Sequence, residues 1–302
     1  MKRLTLKWLA CAALSAPLLL QSSQAAEPIP VVASFSILGD LVQVVGGDRI
    51  QVQALVGPDA DAHVFEPSPA DAKVIMRSRL FVTNGLDFEH WAQKLAKSAG
   101  YKGATLVASQ GVKPRTMPAD DKPGQTETDP HAWQDPTNVM IYVKNIAKSL
   151  SALDPQGADS YQKNSSAYIK ELETLDAFAK EQFATLTPKQ RQVITSHDAF
   201  GYFGAHYHVR FLAPQGVSTE GEPSAKEVAK LIRQIKKDKI NAVFMENMSN
   251  PGLLAQIAKD TGVTLGPKLY VDALSNPSEP ASSYLKLMHH NITQLVAGMK
   301  LN

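Results

Sequence analysis

The feature that most constrains the fold is the alternation of short β-branched apolar runs with longer amphipathic segments, which begins at Pro28. This alternation predicts an α/β fold with parallel strands, because a parallel connection needs a crossover segment, usually a helix. The candidate strands are 31–35, 50–55, 80–83 and 105–107 in the first half, and 192–195, 209–212, 242–245 and 269–271 in the second. We therefore expect two lobes, each a four-stranded, mainly parallel sheet flanked by helices.

A long helical stretch separates the two halves. It begins at Asp154-Pro155, an N-cap residue followed by proline at the first helical position, and ends before Thr187-Pro188. A run of about 30 residues at about 1.5 Å per residue makes a rod of about 45 Å. Its irregular apolar spacing favours a helix joining two lobes over a coiled-coil dimer. The expected boundaries are 27–153 for the N-terminal lobe, 154–187 for the helix and 188–302 for the C-terminal lobe.

The first 26 residues have the pattern of a secretory signal peptide. A basic start is followed by an apolar stretch over 8–20 and by small residues that end at Ala25-Ala26. The apolar stretch is shorter than the roughly 20 residues that span a bilayer, which favours removal over an uncleaved anchor. Cys11 suggests a lipoprotein cleavage site, but only three residues separate it from Lys7, so soluble export to the periplasm is the preferred interpretation.

Removal of this segment defines the chemistry left to the mature chain. The only cysteine is lost, so a metal site must use imidazole and carboxylate ligands. The formal charge of +2, less the three cations Lys2, Arg3 and Lys7, becomes −1, which argues against a nucleic-acid partner. We expect a monomer. Residues 113–130, rich in proline, glycine, threonine and acids and without periodicity, predict a mobile surface loop.

Three histidines and one aspartate occupy connections downstream of predicted strands: His63, His131, His197 and Asp272. Ligands of open α/β sheets bind outside the carboxyl ends of the strands, and two of these residues come from each half. The pattern predicts a site between the lobes, although a lone loop histidine more often serves packing or hydrogen bonding. Three imidazoles and a carboxylate suit tetrahedral Zn²⁺, whereas Mn²⁺ and Fe²⁺ usually favour more oxygen ligands.

Metal-bound imidazoles normally donate their second N–H to a carboxylate, a carbonyl or water. The candidates for this supporting role are Glu66, Asp198, Glu220 and Glu222. Trp133, close to His131, is a candidate for shielding the site from water, and ordinary packing is an equal alternative.

Five segments, taken in order, resemble the metal-binding cluster 9 family of ABC-transporter periplasmic solute-binding proteins. They are 61–69, 129–136, 196–202, 218–224 and the segment around Asp272. The resemblance covers essentially the whole mature chain. It implies two α/β lobes joined by a rigid helix, one transition metal between them, and delivery of that metal to an ABC importer permease in the inner membrane.

By this resemblance, His63, His131 and His197 match the three histidine positions and Asp272 the carboxylate. Manganese-type relatives commonly carry glutamate at the third position, so His197 favours the zinc type. Many zinc-type relatives have a long histidine-rich loop where 113–130 lies, and its absence here speaks against auxiliary zinc capture by that loop.

The leading hypothesis is therefore a non-catalytic periplasmic protein that captures Zn²⁺ for import, with Mn²⁺ possible. A manganese- or iron-specific protein of the same class is the first alternative. An exported zinc hydrolase is another, but the chain has no His-Glu-x-x-His, and four protein ligands leave no open position for water. A metal chaperone or an adhesin-like surface protein remains a further alternative.

Overall fold

The computed structural model describes residues 27–118, 124–248 and 251–302. The signal peptide predicted at 1–26, with Cys11, lies outside these ranges. The N-terminal sheet has four parallel strands in the order β2-β1-β3-β4, and β1 is an interior strand whose last five residues are all buried. The strands are β1 Ile29–Phe35, β2 Ile50–Val56, β3 Leu80–Thr83 and β4 Ala104–Val107.

Four helices belong to this part of the chain. They are α1 Ser36–Gly46, α2 Pro69–Arg77, α3 Ala92–Ser98 and α4 Pro136–Leu153. Local sequence defines where two of them begin. A capping box between Ser68 and Asp71 starts α2, and the Asp135 carboxylate caps α4 ahead of Pro136 at its first position.

A short antiparallel hairpin lies within the segment predicted to be a mobile loop. It consists of β5 Thr116–Pro118 and β6 Thr126–Thr128. These six residues have regular structure because threonine-rich runs favour an extended backbone once they find a partner, and the mobility of the segment stays a prediction. Residues 119–123 lie outside the described ranges.

The long helix, α5, spans Ala158–Ala184 and follows a 3₁₀ turn at Pro155–Gly157. At about 1.5 Å per residue its 27 residues extend about 40 Å. The helical stretch begins where the sequence predicts, with Asp154 at the N-cap position and Pro155 at the first position of the 3₁₀ turn, but the Asp154 side chain makes no capping hydrogen bond. The Asp154 carboxylate instead pairs with Arg49 at 2.7 Å and accepts a hydrogen bond from the hydroxyl of Tyr161 at 2.8 Å.

The second sheet is also four-stranded and parallel, in the order β10-β9-β7-β8. Its strands are β7 Gln192–Ile194, β8 Arg210–Leu212, β9 Val243–Glu246 and β10 Leu265–Leu269. The accompanying helices are α6 Gly201–Tyr207, α7 Ala225–Asp238, α8 Pro251–Thr261 and α9 Tyr284–Met299. The expectation of two four-stranded α/β lobes joined by a long helix is confirmed.

The last strand is displaced from its predicted position at 269–271. β10 contains Gly266 and Pro267, which are unfavourable in the interior of a central strand, but β10 lies at the edge of its sheet and tolerates proline there. The buried run that follows has its backbone groups bound by side chains instead of a neighbouring strand. The N–H of Tyr270 donates to Asn291, and the carbonyl of Val271 accepts from side chains of the other lobe.

One apolar core cluster runs through both lobes and the long helix, and a second, smaller cluster lies between the C-terminal sheet and helices α7 and α8. The apolar residues of α5 are buried against α1, α4 and α9, so the face that a coiled-coil dimer would use is already covered within the chain. In the described ranges, no helix is both long and apolar enough to cross a membrane.

Candidate metal centre

Four connections at the carboxyl ends of the strands bring the predicted ligands together. His63 follows β2, His131 precedes α4, His197 follows β7, and Asp272 lies three residues beyond β10. One ligand atom of each residue lies within 4.8 Å of those of the other three. His63 is 8% exposed and the other three are fully buried. Two of the residues come from each lobe, as the sequence predicted.

The imidazoles present their Nε2 atoms to the carboxylate of Asp272. His197 Nε2 lies 3.1 Å and His63 Nε2 3.4 Å from Asp272 Oδ2, and His131 Nε2 lies 3.7 Å from Oδ1. The Nε2 atoms of His63 and His131 are 3.3 Å apart. Four donor atoms therefore surround one point.

Three of these buried atoms make no well-formed hydrogen bond within the described part of the chain: His197 Nε2 and both carboxylate oxygens of Asp272. Buried polar atoms are nearly always satisfied, and each exception calls for a physical explanation. A cation at the point that all four residues face would supply the missing partner.

The orientation of His197 is held by Glu246 at the end of β9. One carboxylate oxygen contacts Nδ1 of the ring at 2.5 Å, and the other accepts the backbone N–H groups of Ser196 and His197 at 2.8 and 3.2 Å. Because β9 is the neighbour of β7 in the sheet, their carboxyl ends meet at one edge. This contact turns the Nε2 of His197 toward the other ligands.

Asp129 plays the same part for His131. Its Oδ1 lies 3.0 Å from the ring Nδ1 and 3.0 Å from the backbone nitrogen of His131, so a single oxygen holds both. Such carboxylate partners select the tautomer of a metal-binding imidazole and raise its basicity.

The turn after His131 also holds the loop that carries Asp272. Trp133 Nε1 and Gln134 Nε2 donate to the carbonyl of Val271, at 3.0 and 2.9 Å. These two bonds cross from one lobe to the other. They tie the backbone beside one candidate ligand to the backbone beside another.

An aromatic wall encloses the site on the side of the N-terminal lobe. Phe88 packs against His63 with ring centroids 4.7 Å apart, and Trp133 packs against His131 at 5.3 Å. Trp133 is fully buried and also contacts Phe35. Trp133 therefore packs in the core and also lies between His131 and that core, so one side chain can serve both of the roles suggested for it.

The charges of the site are arranged around a carboxylate that stays ionised. Burial disfavours that charge, but His131 and His197 hold the pKa of Asp272 far below its usual value. Burial likewise opposes a charged His197, yet the Glu246 and Asp272 carboxylates raise the pKa of this imidazole well above its ordinary value. Burial lowers the pKa of His63, which favours the neutral imidazole that a metal ion requires at pH 7.

The carboxylates that support the imidazoles differ from those the sequence suggested. Glu66, Glu220 and Glu222 are exposed, and Asp198 is half-buried. Asp129 and Glu246 occupy the supporting positions instead. Asp129 precedes His131 by two residues, a spacing readable from sequence. The contact with Glu246 depends on β7 lying beside β9, and the local sequence does not indicate this strand order.

Replacing Glu246 with glutamine tests the supporting role of its carboxylate. We expect metal affinity to fall about 10- to 100-fold, because His197 loses the acceptor that orients it and enhances its basicity. Calorimetric titration of the metal-stripped protein measures this change. The matched control is Glu222→Gln, which removes one exposed carboxylate of the same lobe and is expected to leave affinity unchanged. Equal affinities for the two variants would contradict the assignment.

Known proteins resemble this chain over most of its length. Residues 31–298 match the family described as "Zinc-uptake complex component A periplasmic". The iron-binding protein YfeA of Yersinia pestis is 31% identical over 278 residues, covering 91% of this chain and 88% of that protein. The manganese-binding lipoprotein MntA of Halalkalibacterium halodurans is 30% identical over 278 residues, covering 92% and 91%.

A solved structure shows the same architecture. The periplasmic zinc binding protein TroA from Treponema pallidum has a TM-score of 0.84 and 25% identity to this chain, covering 90% of this chain and 99% of that one. The three relatives are thus named for three different metals, iron, manganese and zinc.

Proposed function

Because this chain belongs to the zinc-uptake complex component A (ZnuA) family of periplasmic metal-binding proteins, we propose that its cargo is Zn²⁺, held by His63, His131, His197 and Asp272. The family is one of substrate-binding proteins of metal ABC transporters, and the chain is such a binding protein and not an enzyme. The zinc preference and the roles of the four ligands are the parts that we add.

The observation that carries this proposal is the spacing of the four donors. Donors about 2.1 Å from a tetrahedral zinc ion lie about 3.4 Å from one another. Four of the nitrogen–nitrogen and nitrogen–oxygen separations, taken over both oxygens of Asp272, are 3.1, 3.3, 3.4 and 3.7 Å, and one ligand atom of each residue lies within 4.8 Å of the other three. Three nitrogen donors and one carboxylate complete a closed set, which suits an ion that is carried and leaves no position for a catalytic water.

A manganese or iron cargo is the second candidate, and one feature of the site favours it. Both oxygens of Asp272 face the ligand cluster without a well-formed hydrogen bond, so a bidentate carboxylate would raise the coordination number to five. Higher coordination and additional oxygen are typical of Mn²⁺ and Fe²⁺ sites. The relatives named for manganese and iron give this candidate further weight.

We further propose that the chain is exported, free in the periplasm after removal of residues 1–26, and that it acts as a monomer. Its lobes are residues 27–153 and 188–302, with 154–187 as the connection. Loaded protein would then dock on the permease of an ABC importer in the inner membrane. MntA is named a lipoprotein, so the mass of the exported chain distinguishes free protein from a form with lipid on Cys11.

Competition calorimetry tests the choice of metal. We expect metal-stripped residues 27–302 to bind one Zn²⁺ per chain, more tightly than Mn²⁺. Zn²⁺ outcompetes Mn²⁺ at most nitrogen-containing sites, so the informative quantity is the ratio of the two affinities in the protein and in His197→Glu. Replacing a nitrogen donor with oxygen is expected to reduce that ratio about tenfold or more. Tighter Mn²⁺ than Zn²⁺ binding by the unmodified protein would overturn the zinc assignment.

A further inference from the structure

Asn247 follows Glu246 at the end of β9 and contacts both neighbours of Asp272. Its Oδ1 accepts the backbone N–H of Val271, and its Nδ2 donates to the carbonyl of Ala273, both over 3.4 Å. These bonds are long, but they flank the candidate ligand on either side. The carboxamide of Asn247 therefore braces the peptide units on both sides of Asp272.

The same Nδ2 also reaches the other lobe, where it donates to Asp59 Oδ1 at 2.9 Å. Asp59 lies in the loop after β2, four residues before His63. One side chain thus touches the loop of an N-terminal ligand and the loop of a C-terminal ligand.

Asp59 makes two more bonds to the C-terminal lobe. Its Oδ2 accepts from the carboxamide of Asn276 at 2.9 Å, and its backbone N–H donates to the carbonyl of Leu274 at 2.9 Å. Its φ of +53° is in the left-handed region, which aspartate tolerates better than most residues other than glycine and asparagine. The turn at Asp59 thus has a left-handed residue at its centre, and that residue makes all three bonds to the C-terminal lobe: to Asn247, Asn276 and Leu274.

We propose that Asp59 and Asn247 form an interlobe clasp that positions the loops of His63 and Asp272 and sets the rate at which the metal leaves. The proposal rests on the cargo role of the site. The ligands come from two lobes, so an ion is released only when their loops separate. Separation requires the clasp to break. Neither residue is among the four candidate ligands, and each acts through the loop that it holds.

The fold has a second contact that keeps the loop in place when the clasp is removed. The hydroxyl of Thr219 donates to Asp61 Oδ2 at 2.7 Å, again across the lobes. Variants at Asp59 or Asn247 are therefore expected to fold and to bind metal, and the clasp is tested by kinetics.

The variants are Asp59→Gly, Asp59→Asn and Asn247→Ala. Glycine adopts the left-handed backbone freely and removes both carboxylate oxygens, so Asp59→Gly isolates the side chain from the turn. Asparagine tolerates the same backbone and keeps one acceptor for Asn247, which makes Asp59→Asn the conservative variant. The matched control is Asp260→Ala, which removes an acid that accepts from Gln256 at 2.8 Å on α8, within one lobe.

Stopped-flow chelation from the Zn²⁺-loaded protein measures release, and mixing with free Zn²⁺ measures association. We expect Asp59→Gly and Asn247→Ala to release zinc about tenfold faster, with association rates within about twofold of the parent. Asp59→Asn should recover most of the slow release, and Asp260→Ala should match the parent. The double variant Asp59→Gly/Asn247→Ala should release zinc about as fast as the faster-releasing single variant, because each single substitution already breaks the same clasp. Release from Asp59→Gly and Asn247→Ala at the parental rate would overturn the proposal.

A readout without metal separates the clasp from the cargo role. In the metal-free protein, hydrogen exchange of the Asp59 amide, which donates to Leu274, should be about tenfold faster in Asn247→Ala than in the parent. If the parent binds no metal, the proposed function fails while this exchange still reports on the clasp. If the parent binds metal and the amide exchanges equally in both proteins, the clasp is absent and the cargo role stands.

Discussion

Replacing His63 with alanine is expected to weaken Zn²⁺ binding by about 100- to 1,000-fold. Structural zinc sites with four ligands bind with apparent free energies of about 10–16 kcal/mol, or about 2.5–4 kcal/mol per ligand. Each 1.4 kcal/mol corresponds to a factor of ten in affinity. Calorimetric titration of the metal-stripped variant, with a competing chelator for the parent, measures the loss.

His63 is the most informative of the three histidines to replace, because its imidazole favours the neutral form and is not paired with a supporting carboxylate in the described part of the chain. Burial lowers its pKa, so the alanine variant loses a neutral ring and leaves no buried charge without its counterion. His197 lies between the Glu246 and Asp272 carboxylates, and its removal leaves both uncompensated. A loss of zinc affinity in His63→Ala is therefore evidence that His63 coordinates the ion, because this substitution disturbs the metal-free fold least.

The matched control for this experiment is His90→Ala. His90 belongs to the same lobe and is exposed, so the variant removes a histidine of equal intrinsic metal affinity from a place outside the cluster. Binding and thermal midpoint should equal those of the parent. If His63→Ala binds zinc within about threefold of the parent, His63 is not a ligand and the four-donor assignment fails.

The sheet and the ligand cluster were predictable from sequence for one physical reason. Parallel strands place all their carboxyl ends at one edge, so residues that follow strands in both halves converge without any knowledge of distance. His63 and His197 follow strands that the apolar runs define well, β2 and β7. The cluster of four could therefore be proposed before the structure.

The supporting contacts could not be read in the same way. Glu246 holds His197 only because β9 lies next to β7, and strand order depends on packing of whole helices. Tyr270 and Val271 have the composition of a strand, yet Asn291 and Asn247 bind their backbone N–H groups in place of a ladder. Side chains that satisfy backbone groups from a distant segment leave no periodic signal in the sequence.

Trp133 contributes both to the candidate metal site and to the stability of the fold. This fully buried side chain follows His131 by two residues and packs against Phe35 and Phe88, with ring centroids 5.0 and 4.8 Å away. Its Nε1 donates to the carbonyl of Val271 in the other lobe. A change at Trp133 therefore acts on the core and on the loop before Asp272 together.

Trp133→Ala is expected to lower the free energy of unfolding of the metal-free protein by about 3–5 kcal/mol, the cost of emptying a tryptophan site in a packed core. The carbonyl of Val271 keeps its bond from Gln134, so no buried acceptor is orphaned and the variant is expected to fold. Trp133→Phe, which fills much of the cavity, should lose less than half as much. Urea denaturation in the presence of a chelator, followed by far-ultraviolet circular dichroism, measures both values.

The control that separates core from site is Phe183→Ala. Phe183 is buried at the end of α5 against Phe203 and Tyr207, outside the aromatic wall of the metal centre. Its removal should destabilise the protein by a comparable amount and leave zinc affinity within about threefold of the parent. Trp133→Ala should also reduce zinc affinity about tenfold or more, because the ring beside His131 and the interlobe bond to Val271 are lost together. Equal zinc affinities for the two variants would show that Trp133 serves the core alone.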